Sequence, residues 1–205
     1  MMNRLKQQIF YLAGPMDRIE DRGIEWRSMM QDFIWDELQG GVFNPCDKPI
    51  DWGVEDEDMR QWRHDSLQRA AALDAKGLNY EANQIYDAVR EHMKTIAASD
   101  LHLVDSAHAL ILYVDTDVHM CGSYGEQTWA CLEHMPIIAN IKQGKHNAPD
   151  WLYGVCRHEM FFSGWDNVKT YLRHVAFDDH VEHYRKWKFI DMDKVYGKHR
   201  VAAEC

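Results

Sequence analysis

Short runs that are apolar at nearly every position punctuate this chain, and they alternate with longer stretches whose apolar residues recur every three to four positions. QIFYLA fills 8–13 and stops at Gly14-Pro15, ALILYV fills 109–114, and PIIANI fills 136–141. A strand that is apolar on both faces belongs inside a parallel sheet with helices on either side. Between the first two runs, Ile24, Met29, Met30, Phe33, Ile34 and Leu38 repeat at a helical spacing over 23–39, and Gly40-Gly41 ends them. VFNP at 42–45 reads as a second short strand. A long helical stretch covers 54–98, split at Gly77. Its acidic start, Glu55 to Asp58, suits the positive end of a helix. A helix over 123–134, a weak strand at 160–162 and a helix from 165 to about 173 complete the alternation. The pattern predicts an α/β fold: an open parallel sheet of about five strands with helices on both faces, flavodoxin- or Rossmann-like, with a helical insertion at about 54–98. One domain over 1–174 is expected, followed by a C-terminal extension over 175–205, packed or at an oligomer contact.

Composition narrows the classes of function. A chain of 205 residues that is 46% hydrophobic and 27% charged has enough apolar material for a core without disulfide or metal staples. Its 33 acidic and 23 basic residues leave a net charge of −10, which disfavours a nucleic-acid polymer as partner, since phosphate neutralisation needs a basic face. Five scattered cysteines without a CxxC pair fit a reduced compartment. With no signal peptide and no apolar run of membrane length, the expected location is the cytoplasm, away from membranes.

In open parallel sheets ligands bind beyond the carboxyl ends of the strands. Two loops fall there: Gly14-Pro15-Met16-Asp17-Arg18 after the first strand, and 115–126, DTDVHMCGSYGE, after the central one. The second loop offers Gly122 and Gly125, then Glu126 in what the pattern makes the first turn of the next helix. There the helix dipole favours an ionised carboxylate. A charged carboxylate beside a glycine-lined approach suits a nucleophile at an oxocarbenium-like carbon; helix-start electrostatics alone also places glutamate at such positions.

YLAGPM (11–16) and SDLHLVDSAHALILYVDTDVHMCGSYGEQTWA (99–130) together resemble the nucleoside 2-deoxyribosyltransferase family, and more narrowly a phage- and bacteria-associated branch with a YLAGPMDR start. The likeness covers most of 8–174 and rests on ordered pieces: AGP after a strand, DL before the central strand, G-S-x-x-E after it. It implies double displacement. A glutamate attacks C1′ of a 2′-deoxynucleoside, the base leaves, and a second base or water takes the sugar from the ester. Carried onto this chain, Glu126 is the nucleophile and Asp100 helps hold the sugar. Phe10 or Tyr11, with Gly14, Pro15, Met16, Asp17 and Arg18, walls the nucleoside pocket, and Gly122 and Ser123 line its other side. Asn147 corresponds to an amide that members supply from a neighbouring subunit, which implies a homo-oligomer. The resemblance implies no cofactor and no metal. Its partners are a deoxynucleoside or deoxynucleotide and a free nucleobase, in the host cytoplasm for a phage-encoded chain.

The chain departs from the pattern in two places. Met120 stands where well-studied transferases carry a base-side aspartate, with Asp115 and Asp117 as candidate substitutes. His108 stands where some members carry another aspartate. Related nucleoside-monophosphate N-glycosidases also lack the loop aspartate and bind a 5′-phosphate, which Arg18 and Arg22 could meet as well as they could form surface ion pairs. A nucleotide-binding module without catalysis is the reading from another class.

Other constellations carry less. Twelve histidines show no zinc spacing, His180 and His183 included. Cys121 reads as a small loop residue, AGP lacks the glycines and lysine of phosphate loops, and most of the eight tryptophans are expected in the core or at subunit contacts, with Trp52 a candidate for stacking on a base.

Overall fold

The computed structural model describes residues 3–16, 19–54, 56–178 and Trp187. Five strands form, β1 (Ile9–Ala13), β2 (Gly41–Phe43), β3 (Ala109–Val114), β4 (Ile137–Ile141) and β5 (Phe161–Phe162). All pair in parallel in the order β2-β1-β3-β4-β5, with Tyr11 opposite both Phe43 and Leu110, and Leu112 opposite Ala139. Six α-helices alternate with them: α1 (Ile24–Asp36), α2 (Glu57–Asp74), α3 (Asn79–Asp105), α4 (Cys121–Leu132), α5 (Asp150–Val155) and α6 (Trp165–Phe177). This is the α/β arrangement that the apolar runs predict, in the common doubly wound order.

The chain divides into two compact units, one formed by 1–47 with 103–205 and one by 48–102. In the first, strand alternation sorts the core. Phe10, Leu12, Ala109, Ile111 and Ile138 meet α1 through Met30, Phe33 and Ile34, and α6 through Val168, Leu172 and Val175. Tyr11, Leu110 and Leu112 point to the other side of the sheet, where α4 buries Ser123, Glu126, Gln127 and Ala130, one face at helical spacing. The C-terminal residues 179–186 and 188–205 lie outside the described residues. Trp187 is fully buried, edge-on to Phe10 at 6.3 Å, with its indole N–H donating to the Tyr171 hydroxyl at 3.3 Å.

In the second unit, Asp56 caps α2 by accepting the Met59 N–H at 2.8 Å, and Glu57 and Asp58 occupy its first turn. That is the electrostatic role expected for the acidic run; Glu55 lies outside the described residues. Gly77, at φ 74°, turns the chain between α2 and α3. The helical run does not stop at 98. It continues to Asp105, because Leu103 and Val104 extend the buried stripe of α3. Of the tryptophans, Trp26 and Trp187 are buried, and Trp165 stacks on Trp26 at 5.0 Å. Trp35, Trp52, Trp62, Trp129 and Trp151 are exposed, so core packing accounts for three of the eight.

The loop leaving β1 sits on an aromatic floor. Tyr113 lies 5.5 Å from both Trp26 and Trp165, and a Cβ on Gly14 would come within 2.8 Å of the Trp26 ring and 3.2 Å of the Tyr113 Cβ. Gly14→Ala is therefore expected to destabilise by about 1–3 kcal/mol through overpacking. Gly125→Ala, in α4 where an added Cβ meets nothing within 4 Å, gains roughly 0.5–1 kcal/mol of helix stability instead. Urea midpoints of the two variants check both signs.

Candidate active site

The connection after β1 leads to β2 on one side, and the connection after β3 leads to β4 on the other. Their loops diverge and leave a crevice at the carboxyl ends of β1 and β3, the usual ligand position in such sheets. Both sequence-predicted loops end here.

Tyr11, on β1, and Glu126, on the helix that follows β3, meet on one side of the sheet. The Tyr11 hydroxyl donates to Glu126 Oε1 at 2.6 Å, a short, charge-assisted bond. Strand alternation decides between the two aromatic candidates: Tyr11 faces α4, and Phe10 faces the opposite core. Glu126 is 8% exposed, whereas its neighbour Gln127 is fully buried. α4 begins at Cys121, two residues earlier than its pattern suggests, so Glu126 occupies the second turn. The helix dipole weakens beyond the first turn, and the expectation of a first-turn glutamate is corrected accordingly.

At the start of α4, Met120 is buried and takes the N-cap position without a side-chain cap. Ser123 is buried on the sheet side. Gly122 and Gly125 are exposed, with open space where a Cβ would stand. Of the first loop, Gly14 and Pro15 are buried and Met16 is half-buried, while Asp17 and Arg18 lie outside the described residues.

A residue that the sequence did not single out anchors that loop. Arg27, on α1 and fully buried, donates through Nε to Leu12 O at 3.2 Å and through Nη2 to Gly14 O at 2.7 Å. Its Nη1 donates to Arg22 O at 3.2 Å and Gly23 O at 3.1 Å. The guanidinium also lies 4.5 Å from the centre of the Trp26 ring. Burial pushes its pKa below the usual value; Cys46, Glu126, Tyr11 and Asp21 pull it back up. Gly23 is constrained by the same contact, since at φ 71° a Cβ would overlap the guanidinium. The signal for Arg27 lay in the helical spacing: Arg27, Met30 and Ile34 share one face of α1, so a charged residue stands on the buried stripe.

The candidate base-side acids are drawn toward the end of β4. Buried Asp115 accepts from Lys142 Nζ and Gln143 Nε2, both at 2.7 Å, and from the Asp117 N–H at 3.1 Å. Asp117 Oδ2 accepts from the same Gln143 amide at 3.0 Å. Asn147, exposed in a short 3-10 turn (Lys145–Asn147), donates to Gln143 O at 2.7 Å. His108 accepts the Ile9 N–H on Nδ1 at 2.9 Å, and burial lowers its pKa, which favours the neutral ring that this bond needs.

Asp100 belongs to the second unit, on α3 rather than in a loop. Its Oδ1 lies 2.8 Å from Lys48 Nζ, which also donates to Ser99 Oγ at 2.8 Å and Gly53 O at 2.6 Å. Three acceptors match the three ammonium protons of a nearly buried lysine. Gly53, at φ 66°, has no room for a side chain against Ser99. Lys48 carries no motif that marks it in the sequence. Among the described residues no group of three or more His, Cys, Asp or Glu is arranged to hold a metal ion, and no helix is long and apolar enough to cross a membrane.

Burial alone would raise the Asp115 carboxyl pKa, but the bonds from Lys142, Gln143 and the Asp117 amide outweigh it and hold it below the ordinary range. A depressed carboxylate stabilises the fold above its unfolded pKa of about 3.9, and that contribution disappears as pH falls through the folded value. Asp115→Asn is therefore expected to lower the urea midpoint most near pH 7, with the gap from wild type closing below about pH 4. The chain matches no known family profile and no curated protein.

Proposed function

We propose that this chain transfers 2-deoxyribose between nucleobases through a covalent ester on Glu126. One observation carries the reading: the Tyr11 hydroxyl and the Glu126 carboxylate are 2.6 Å apart, in two segments at which the sequence resembles the deoxyribosyltransferases. A carboxylate held by a buried hydroxyl keeps a fixed orientation, which nucleophilic attack at a single carbon requires.

The chemistry balances without a cofactor. A Glu126 oxygen forms a bond to C1′ as the glycosidic C1′–N bond breaks. The departing base keeps the electron pair and takes a proton. An acceptor base then attacks C1′ with a ring nitrogen and loses a proton, and the carboxylate recovers its pair as the ester bond breaks. The resemblance also gives Asp100 a role toward the sugar. Gly122 and Gly125 leave room beside the nucleophile, Ser123 and the Gly14-Pro15-Met16 loop flank it, and Asn147 completes the site of a second copy in a homo-oligomer. The substrates are small molecules of the cytoplasm: a deoxynucleoside or deoxynucleotide and a free base.

A second reading, hydrolysis of a deoxynucleoside 5′-monophosphate by the same glutamate, is favoured by the base side. Met120 supplies no acid there, and the Asp115 carboxylate is engaged by Lys142 and Gln143. Water then replaces the acceptor base, losing one proton as it adds to C1′.

Incubation with a 2-fluoro-2-deoxynucleoside followed by intact mass measurement is expected to show one fluorodeoxyribosyl group on the wild type and none on Glu126→Gln. Wild type that stays unmodified and inactive toward all common deoxynucleosides and their monophosphates refutes both enzymatic readings and leaves a binding module. Product partition with and without acceptor base separates transfer from hydrolysis. Tyr11→Phe removes a hydrogen bond to a charged group, a loss of about 1.5–3 kcal/mol, and is expected to lower kcat/KM roughly tenfold to a hundredfold.

A further inference from the structure

We infer that Arg27 is a positioning residue for Glu126: it pins the end of the strand that carries Tyr11 and the loop after it, and its positive charge acts on this pair. The inference rests on the deoxyribosyl-transfer reading for its catalytic consequence, while its electrostatic part stands on the fold.

All four hydrogen-bond partners of Arg27 are backbone carbonyls, of Leu12, Gly14, Arg22 and Gly23. Carbonyl dipoles satisfy the N–H groups without cancelling the charge. A fully buried guanidinium left at that would cost several kcal/mol. Arginine does not escape by deprotonation, so the compensation has to come from nearby negative charge. The groups whose charge acts on it are Cys46 after β2, Glu126 on α4, Tyr11 on β1 and Asp21 before α1. Asp21 is exposed and already caps the start of α1, accepting from Gly23 N at 3.0 Å and Glu25 N at 3.2 Å. Solvent screens it. Cys46 carries a thiol and Tyr11 a phenol, so neither is a carboxylate. Glu126 is the one buried carboxylate of the set, so the two charges are interdependent.

Two effects on the reaction follow. Leu12 and Gly14 lie on either side of Ala13, so Arg27 clamps the last turn of β1. It thereby fixes the direction from which Tyr11 reaches Glu126 and the path of the Gly14-Pro15 wall. Its charge also favours the ionised, nucleophilic form of a neighbouring carboxylate. This is a role for a charge and not only for a shape, and that difference is measurable.

The experiment compares Arg27→Gln, which keeps polar N–H groups but no charge, with Arg27→Lys, which keeps the charge but not the fork. Base release from deoxynucleosides is followed across pH. Arg27→Gln is expected to move the acid limb of the kcat/KM profile to higher pH, with about a tenfold loss below the limb for each unit moved. Arg27→Lys keeps the limb near its wild-type position. An active wild type with a folded Arg27→Gln whose limb has not moved overturns the inference.

A second measurement needs neither an Arg27 variant nor activity. Removing an active-site carboxylate commonly stabilises a protein. Here Glu126→Gln is expected to lower Tm at pH 7, with the gap from wild type closing as pH falls through the carboxylate range. A Tm at pH 7 that is unchanged or raised overturns the inference. Wild type without base release refutes the functional reading alone, because the Tm comparison still decides whether Arg27 and Glu126 share their charge.

Discussion

The sheet begins at an interior strand, not at an edge. β1 receives β2 on one side and β3 on the other, so the loops beyond their carboxyl ends must part. Backbone carbonyls at the end of β1 and just after it are buried there. Unpaired buried carbonyls are costly. Arg27 meets that demand, spending one side chain on four carbonyls: Leu12 on β1, Gly14 just after it, and Arg22 and Gly23 just before α1. Placing a full charge in the interior to do so imposes a second demand, for a carboxylate close by. Glu126, held by Tyr11, answers it, and two residues far apart in sequence become parts of one buried arrangement.

The glycines fit the same picture. Gly14 is fixed by steric crowding against Trp26 and Tyr113, and Gly23 by its left-handed backbone beside the guanidinium. Neither is a site of flexibility; both let chain approach chain. Gly122 and Gly125 differ. They stand in a helix, where glycine lowers stability, with empty space around them. Nothing among the described residues demands their lack of a side chain. Room for something outside this chain is the reason that the functional reading supplies.

Much of this was legible in the sequence. The apolar runs at 8–13, 109–114 and 136–141 could only be buried strands, and the loops after β1 and β3 followed from the rule for parallel sheets. Boundaries were less secure. Cys121-Gly122 reads as loop chemistry, yet both residues belong to α4, because burying Ser123, Glu126, Gln127 and Ala130 on one face outweighs the poor propensity of two glycines. The shift takes Glu126 out of the first turn and transfers the argument for its ionised state from helix dipole to buried arginine. Lys48 was not legible. Its role arises from three acceptors, Gly53, Ser99 and Asp100, brought together by a turn and a helix 51 residues on, and no local pattern encodes that.

The departures from the deoxyribosyltransferase pattern also gain a physical meaning. A carboxylate serving a nucleobase needs freedom to exchange a proton near neutral pH. Asp115 is tied to Lys142, Gln143 and a backbone amide, and its pKa lies below the ordinary range. A group so poised is a poor proton donor. In this chain it does structural work, joining the end of β3 to the end of β4. Under the proposed reading, a departing base would therefore take its proton from solvent, or belong to a substrate that is a better leaving group to begin with. The last option requires the least of the protein, because a base already protonated or electron-poor departs without a donor. Substrate choice, more than the identity of the nucleophile, is where a site with Met120 at the cap of α4 should differ from one with an acid there.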